Sequence, residues 1–289
     1  MASRTAATHK GHSHLAAGAR PTTARSPLSR RPILIVAAAA GIAIVAAVAA
    51  MLGSVRTSAR HDGATSLPAT SMATALTVDG QAIPLRELML QVEADRAATF
   101  GYFQQNFHAG DTAGFWHTRF GTTTPAGYLT EHAVADTVSI AVERQLAQKR
   151  GLLADPGYPA FLQSWTAENA RRATALAKHQ VIYGPTQYSE AGYFTYVMSD
   201  LGPRLEQALT ADGSIAVSDA DVKAYYLAHP EKFPAAAVQG PGSTAPFQTV
   251  EAQARQLLLD DRFRAYLASA AAHATVVKAN DILARIPLG

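Results

Sequence analysis

The chain changes from a strand pattern to a helical pattern within residues 74–92, TALTVDGQAIPLRELMLQV. Residues 75–78 are a short strand-prone run, and Asp79-Gly80 is a dipeptide typical of a tight turn. Pro84 suits the first turn of a helix, and the apolar residues after it recur at the spacing of one helical face. We therefore expect a folded body that begins at about residue 74 with a strand, a turn and a long helix.

Downstream of this stretch, apolar side chains continue to recur at helical spacing, with breaks at glycine and proline. The chain ends with a second strand-prone run at residues 275–278. A lone strand at each end of a helical body leaves its backbone groups unsatisfied, so the two strands are expected to pair. The predicted fold is mainly α with a small β pairing of the N- and C-terminal strands. Further helices are expected at 126–150, from Pro159 onward, at about 189–209 with a kink or restart at Pro203, and at about 249–273. A short helix is expected at 222–227, after a capping-box-like start in which Ser218 is followed three residues later by the acid Asp221.

Three segments of different composition precede this body. Residues 1–31 contain six basic side chains and no acid, which is typical of a disordered tail. Residues 33–52, ILIVAAAAGIAIVAAVAAML, are uncharged and long enough to cross a bilayer. The basic residues before them favour a cytoplasmic N-terminus. The interpretation is a disordered basic cytoplasmic tail over 1–31, one transmembrane signal-anchor over 32–52, a linker over 53–73 and an extracytoplasmic helical domain over 74–289.

A cleaved signal peptide is the alternative for the apolar segment, because Ala47-Val48-Ala49 offers a small-residue cleavage site. With the anchor retained, the chain is expected to be a single-pass protein of the cell membrane. Whether the segment is cleaved stays open at this point.

Charge and composition exclude several classes of function. The tail accounts for the formal net charge of +3, and the rest of the chain holds 19 of its 25 Lys and Arg and all 22 Asp and Glu. A body with this balance does not predict nucleic-acid binding, which needs clustered basic residues. The absence of cysteine excludes disulfides, thiolate metal sites and a cysteine nucleophile.

The polar residues give no motif for catalysis, a cofactor or a metal. The loop expected around residues 107–132 contains His108, Asp111, His117, Glu131 and His132, but their spacing matches no helical metal motif. The sequence also has no nucleophile elbow and no phosphate-binding loop. No catalytic residue, metal ligand or cofactor is predicted.

Aromatic residues are concentrated in two stretches, residues 100–120 and 183–196. Most aromatic side chains of a helical body belong to its core, but large aromatic surfaces also suit adaptable binding of apolar segments. The tyrosines, with their polar tips, are expected to be the more exposed members. The candidate residues for such binding are Phe103, Phe107, Trp116, Tyr188, Tyr193 and Tyr196.

Three segments resemble the extracytoplasmic chaperone module shared by the SurA, PrsA and PpiD foldases. Residues 78–84, VDGQAIP, are similar to the family's strand and turn before the first helix. Residues 217–233, VSDADVKAYYLAHPEKF, are similar to the helix that leads into the family's isomerase domain. The closing helix and strand, residues 250–278, are similar to the end of the module. The resemblance implies a SurA/PrsA-like helical chaperone module.

The sequence departs from the family where a parvulin domain would follow residue 233, because only residues 234–248 separate that point from the closing helix. So short a segment cannot form a domain. The resemblance therefore implies a chaperone for unfolded or nascent secreted polypeptides that acts without ATP and without prolyl isomerase activity. The alternatives are a docking module for one fixed envelope or secretion partner, and a divergent prolyl isomerase. The clients and the oligomeric state are not predicted.

Overall fold

The computed structural model describes residues 66–235 and 243–288. The expected tail, the apolar segment and the first part of the expected linker lie outside these residues. No helix in the described ranges is long and apolar enough to span a membrane. The last part of the expected linker packs on the body, since Leu67 lies against the main core and its N–H donates to the carbonyl of Arg285 at 2.9 Å.

A three-stranded antiparallel sheet joins the two ends of the body. It contains β1 (Thr74–Val78), β2 (Gln81–Pro84) and β3 (Val276–Lys278) in the order β2-β1-β3. The predicted pairing of the N- and C-terminal strands is confirmed, with Thr77 opposite Val277. Two-residue hairpins favour a turn with positive φ at both central positions. Asp79 (φ 49°) and Gly80 (φ 83°) meet this requirement.

The strand β2 was not expected, because residues 81–84 were assigned to the approach to the first helix. Pro84 closes this strand, and the helix begins at Leu85. Proline is tolerated at the end of an edge strand because its missing N–H faces outward. The turn that Asp79 and Gly80 form is therefore the turn of a hairpin.

The described residues form a mainly α structure with seven α-helices. Helix α4, Glu190–Ala211, runs through Pro203, so of the kink or restart expected at that proline the restart is wrong. The capping box at Ser218 is confirmed, since Ser218 and Asp221 exchange side-chain to backbone hydrogen bonds. The helices are α1 Leu85–Phe107, α2 Pro125–Lys149, α3 Tyr158–Ala177, α4 Glu190–Ala211, α5 Asp219–Ala228, α6 Phe247–His273 and α7 Asn280–Leu283.

The main core lies between the sheet and the antiparallel pair α1 and α2. The C-terminal residues Ile286 and Leu288 are buried in it together with Leu76 and Ile83. Two further groups of buried apolar residues hold α3 to α4 and α5 to α6. The α3–α4 hairpin is thus a unit with an aromatic core of its own.

Candidate functional site

The aromatic cluster at the end of α1 is mostly a local core. Phe103 is 0 % exposed and contacts five other rings, among them Phe115 and Phe120. Trp116 is partly buried beneath the guanidinium of Arg96, 4.6 Å from the ring centroid. Phe107 is 39 % exposed. This cluster closes the end of the α1–α2 pair, and its most exposed rings are those of Phe107 and Tyr102, the latter 37 % exposed.

The α3–α4 hairpin carries the most exposed apolar side chains of the part of the chain that the structure describes. In its connecting loop, Val181 is 81 % and Tyr183 is 87 % exposed. On α4, Tyr196 is 52 % exposed and stacks on Tyr188 at 5.4 Å between ring centroids. We refer to Val181, Tyr183, Tyr188 and Tyr196 as the hairpin surface. Exposed aromatic groups at this density are typical of binding surfaces.

A buried arginine fixes the loop that supports this surface. Arg172 donates to the backbone carbonyls of Tyr183 and Pro185, at 3.0 and 2.6 Å. Its guanidinium also lies over the ring of Tyr188, 4.4 Å from the centroid, and pairs with Glu168. The loop thus presents Val181 and Tyr183 from a backbone that is held in place, which lowers the entropy cost of binding.

An apolar cleft of about 230 Å³ opens between α2, α3 and α4. Phe194, Val197 and Leu201 line it from one face of α4, and Phe161 and Ser164 line it from α3. The other lining residues are Arg144, Leu153, Ala154, Asp155, Ala160 and Met198.

A second, polar cleft of about 380 Å³ adjoins the apolar one, and Asp155 lines both. It lies where the β1–β2 turn meets the end of α2 and the start of α3. Two carboxylates and one ammonium group face it, from Asp79, Asp155 and Lys149. Its other lining residues are Gln81, Gln145, Gln148, Pro156 and Gly157.

A junction of charged side chains ties the hairpin to α1. Arg86 forms a salt bridge with Glu190 at 2.6 Å, and the hydroxyl of Tyr158 donates to the same carboxylate. The next residue of α1, Glu87, pairs with Arg144 of α2 at 2.5 Å, and both side chains are buried. The first turns of α1, α3 and α4 therefore meet at the carboxylate of Glu190, and the dipoles of helix N-termini favour a negative charge there.

Burial shifts the protonation of several carboxyl groups in the body. Burial raises the pKa of Glu87 to about 7, although the ion pair with Arg144 opposes the rise. Burial alone raises the pKa of Glu143 to about 7. Burial and the facing carboxyl of Asp136 together raise the pKa of Asp95 to about 6.

The polar residues considered as metal ligands do not come together. Among residues 66–235 and 243–288, no three His, Asp or Glu side chains are placed to hold a metal ion. His132 instead packs against Tyr128, with 4.0 Å between the ring centroids, and burial lowers the pKa of its imidazole.

The structure separates the six candidate residues. Tyr193 is buried, packs against Phe161 and stacks on Tyr196, so its role is to support the hairpin surface. It is an exception to the expectation that the tyrosines are the more exposed members. Phe103 is core, Trp116 and Tyr188 are partly buried, and Phe107 and Tyr196 are exposed.

Sequence reasoning missed the two clefts, the ion pair of Glu87 with Arg144, and the exposure of Val181 and Tyr183. The apolar stripe of α4 gave a partial signal for the apolar cleft, because Phe194, Val197 and Leu201 recur at helical spacing. A gap between helices has no signature of its own in a sequence.

Among known proteins, no family model, no curated protein and no solved structure matches the chain.

Proposed function

We propose that the chain is a membrane-anchored, extracytoplasmic, ATP-independent chaperone of the SurA/PrsA type, which binds unfolded secreted proteins without prolyl isomerase activity. The hairpin surface carries the proposal, because it combines the highest apolar exposure in the described residues with a loop held by Arg172. A chaperone that works by binding and release needs such an apolar surface and no catalytic group.

Two features of the fold support the family resemblance. The strand-turn segment at residues 78–84 and the closing strand belong to one sheet, as expected for a module whose ends pair. After Phe233, the chain returns through a bridge between Pro234 and Thr244 directly to α6. This return leaves residues 235–243 in place of an isomerase domain, far fewer than a domain requires.

The first prediction concerns suppression of aggregation. Purified full-length protein in lipid nanodiscs, at equimolar ratio to a reduced, unfolding client, is expected to suppress light scattering. Replacing both Tyr183 and Tyr196 by serine should remove most of this effect, because it removes exposed apolar area that the fold does not need.

The matched control replaces Met72 and Leu227 by serine, since both are exposed and lie outside the hairpin. It should suppress aggregation as well as the unchanged protein does. Light scattering that is unaffected by a several-fold excess of the full-length protein would overturn the chaperone proposal.

The second prediction concerns residues 33–52. On expression in a bacterial host, the full-length chain should remain with the membrane fraction after a carbonate wash, and deletion of residues 33–52 should release it. Deletion of residues 2–20, which keeps Arg30 and Arg31, is the control and should leave the chain in the membrane. A soluble, shortened chain that begins near residue 50 would identify a cleaved signal peptide instead.

A further inference from the structure

We propose that the apolar cleft and the polar cleft together bind an extended polypeptide segment in which an apolar side chain lies next to a lysine or arginine. The inference rests on the proposed function, because such segments are exposed in unfolded clients. It adds to the hairpin surface a second client contact, and it gives that contact a sequence preference.

The apolar cleft fits one client side chain. A dry apolar cavity of about 150 Å³ accepts a benzene-sized group, so the 230 Å³ here suits a single Leu, Met or Phe side chain. Its α4 wall is formed by Phe194, Val197, Met198 and Leu201, which share one helical face. Arg144 also borders the cleft, but its charge is already paired with Glu87.

The polar cleft favours groups that donate hydrogen bonds. Asp79 and Asp155 each accept one backbone N–H through Oδ1, and within the described residues their second oxygens have no protein partner. Gln145 and Gln148 use their amide Nε2 groups to donate to backbone carbonyls, which leaves both amide oxygens as acceptors. A client main chain can supply N–H groups to these oxygens whatever its side chains are.

The charge of the polar cleft selects a basic neighbour. Its two carboxylates, from Asp79 and Asp155, outnumber the single ammonium of Lys149. A lysine or arginine of the client can therefore gain a carboxylate partner there, and a glutamate would be repelled.

Asp155 sets the spacing between the two parts of the segment. Because this residue lines both clefts, a side chain in the apolar cleft and a basic side chain in the polar cleft can both contact it. Extended chains advance about 3.3 Å per residue, so the two client side chains belong to neighbouring or next-neighbouring positions.

The test measures binding of three fluorescent peptides with blocked ends to the full-length protein: Gly-Ser-Gly-Phe-Lys-Ser-Gly-Ser, the same peptide with Glu in place of Lys, and the same peptide with Ser in place of Phe. The Phe-Lys peptide should bind about fivefold more tightly than the Phe-Glu peptide, the size of effect expected for opposite charges a few ångströms apart in water. It should bind at least about tenfold more tightly than the Ser-Lys peptide, because that change removes one buried apolar side chain.

Two substitutions locate the binding. Ser164→Phe fills the apolar cleft and should lower the affinity for the Phe-Lys peptide about tenfold. Thr166→Phe is its control, because Thr166 lies on the same helix outside the cleft and its hydroxyl also donates to a carbonyl of the preceding turn. Asp155→Asn keeps the acceptor for the N–H of Gly157 but should remove most of the Lys-over-Glu preference, whereas Asp200→Asn should leave the preference unchanged.

The outcomes separate this inference from the chaperone proposal. Aggregation suppression without peptide preference, or with equal binding by Ser164→Phe and the unchanged protein, would overturn the two-cleft site and leave the chaperone proposal in place. If the peptides bind as expected but the protein does not suppress aggregation, the chaperone proposal is overturned and the two-cleft site is supported. Failure of all three peptides to bind would also overturn the two-cleft site.

Discussion

Replacing Arg144 with methionine is expected to lower the free energy of unfolding by about 3–5 kcal/mol at pH 8, the range observed when one partner of a buried ion pair is removed. Arg144 and Glu87 are both buried, and their ion pair joins α2 to the first turn of α1. Without the guanidinium, the Glu87 carboxylate has no compensating charge, and its Oε2 atom already lacks a hydrogen-bond partner among the residues that the structure describes. The measurement is urea unfolding followed by circular dichroism.

The loss should depend on pH in a defined direction. Burial raises the pKa of Glu87 in the folded protein to about 7, above its value in an unfolded chain. The protonated carboxyl therefore contributes stability that is present at low pH and is lost as the pH rises through 7. Removal of Arg144 raises this folded-state pKa further, so the difference between variant and unchanged protein should shrink on going from pH 8 to pH 5.

The double variant Glu87→Leu with Arg144→Met is the control, because it removes both charges and keeps apolar volume in the site. Replacement of a whole buried pair by apolar residues is often neutral or stabilising, so the double variant should recover most of the lost stability. If the double variant is no more stable than Arg144→Met alone, lost packing rather than the uncompensated charge explains the effect.

The pairing of the two end strands could be predicted because it follows from a local requirement. Strand-prone runs at residues 75–78 and 275–278 have unsatisfied backbone groups unless they meet, and the structure pairs them. The capping box at Ser218 is equally local, since its two partners are three residues apart. Strand β2 escaped prediction because Pro84 fits both the end of an edge strand and the approach to a helix.

The candidate sites depend on which residues, distant in sequence, lie close together in the fold, and the sequence alone does not show this. Glu87 and Arg144 are 57 positions apart, and nothing in either helix marks one as the partner of the other. The apolar cleft is a gap between α2, α3 and α4, and the polar cleft is a gap between the β1–β2 turn, the end of α2 and the start of α3, so the lining residues of each come from separate segments. Exposure of an aromatic side chain has the same character: Tyr193 and Tyr196 lie one turn apart, but only Tyr196 is exposed.

The second large effect on stability is expected in the aromatic cluster at the end of α1, where Phe103 is buried and Phe107 is exposed. Phe103→Ala is expected to lower the free energy of unfolding by about 3–5 kcal/mol, since a large buried side chain leaves a cavity among Phe115, Phe120 and Tyr128. Phe107→Ala should cost about 1 kcal/mol or less, because its ring is 39 % exposed at the edge of the same cluster. Urea unfolding of both variants measures the difference.

The same pair of variants decides how the candidate residues of this cluster can act. A loss of client binding in Phe103→Ala that follows its loss of stability would reflect a disturbed core, because no part of that ring reaches solvent. A loss in Phe107→Ala without loss of stability would instead place client contact at the end of α1 as well as on the α3–α4 hairpin. Equal destabilisation by the two substitutions would contradict the burial difference on which this distinction rests. Since the exposed apolar area is concentrated on the hairpin, we expect Phe107→Ala to retain client binding and Phe103→Ala to lose it only under conditions that unfold it.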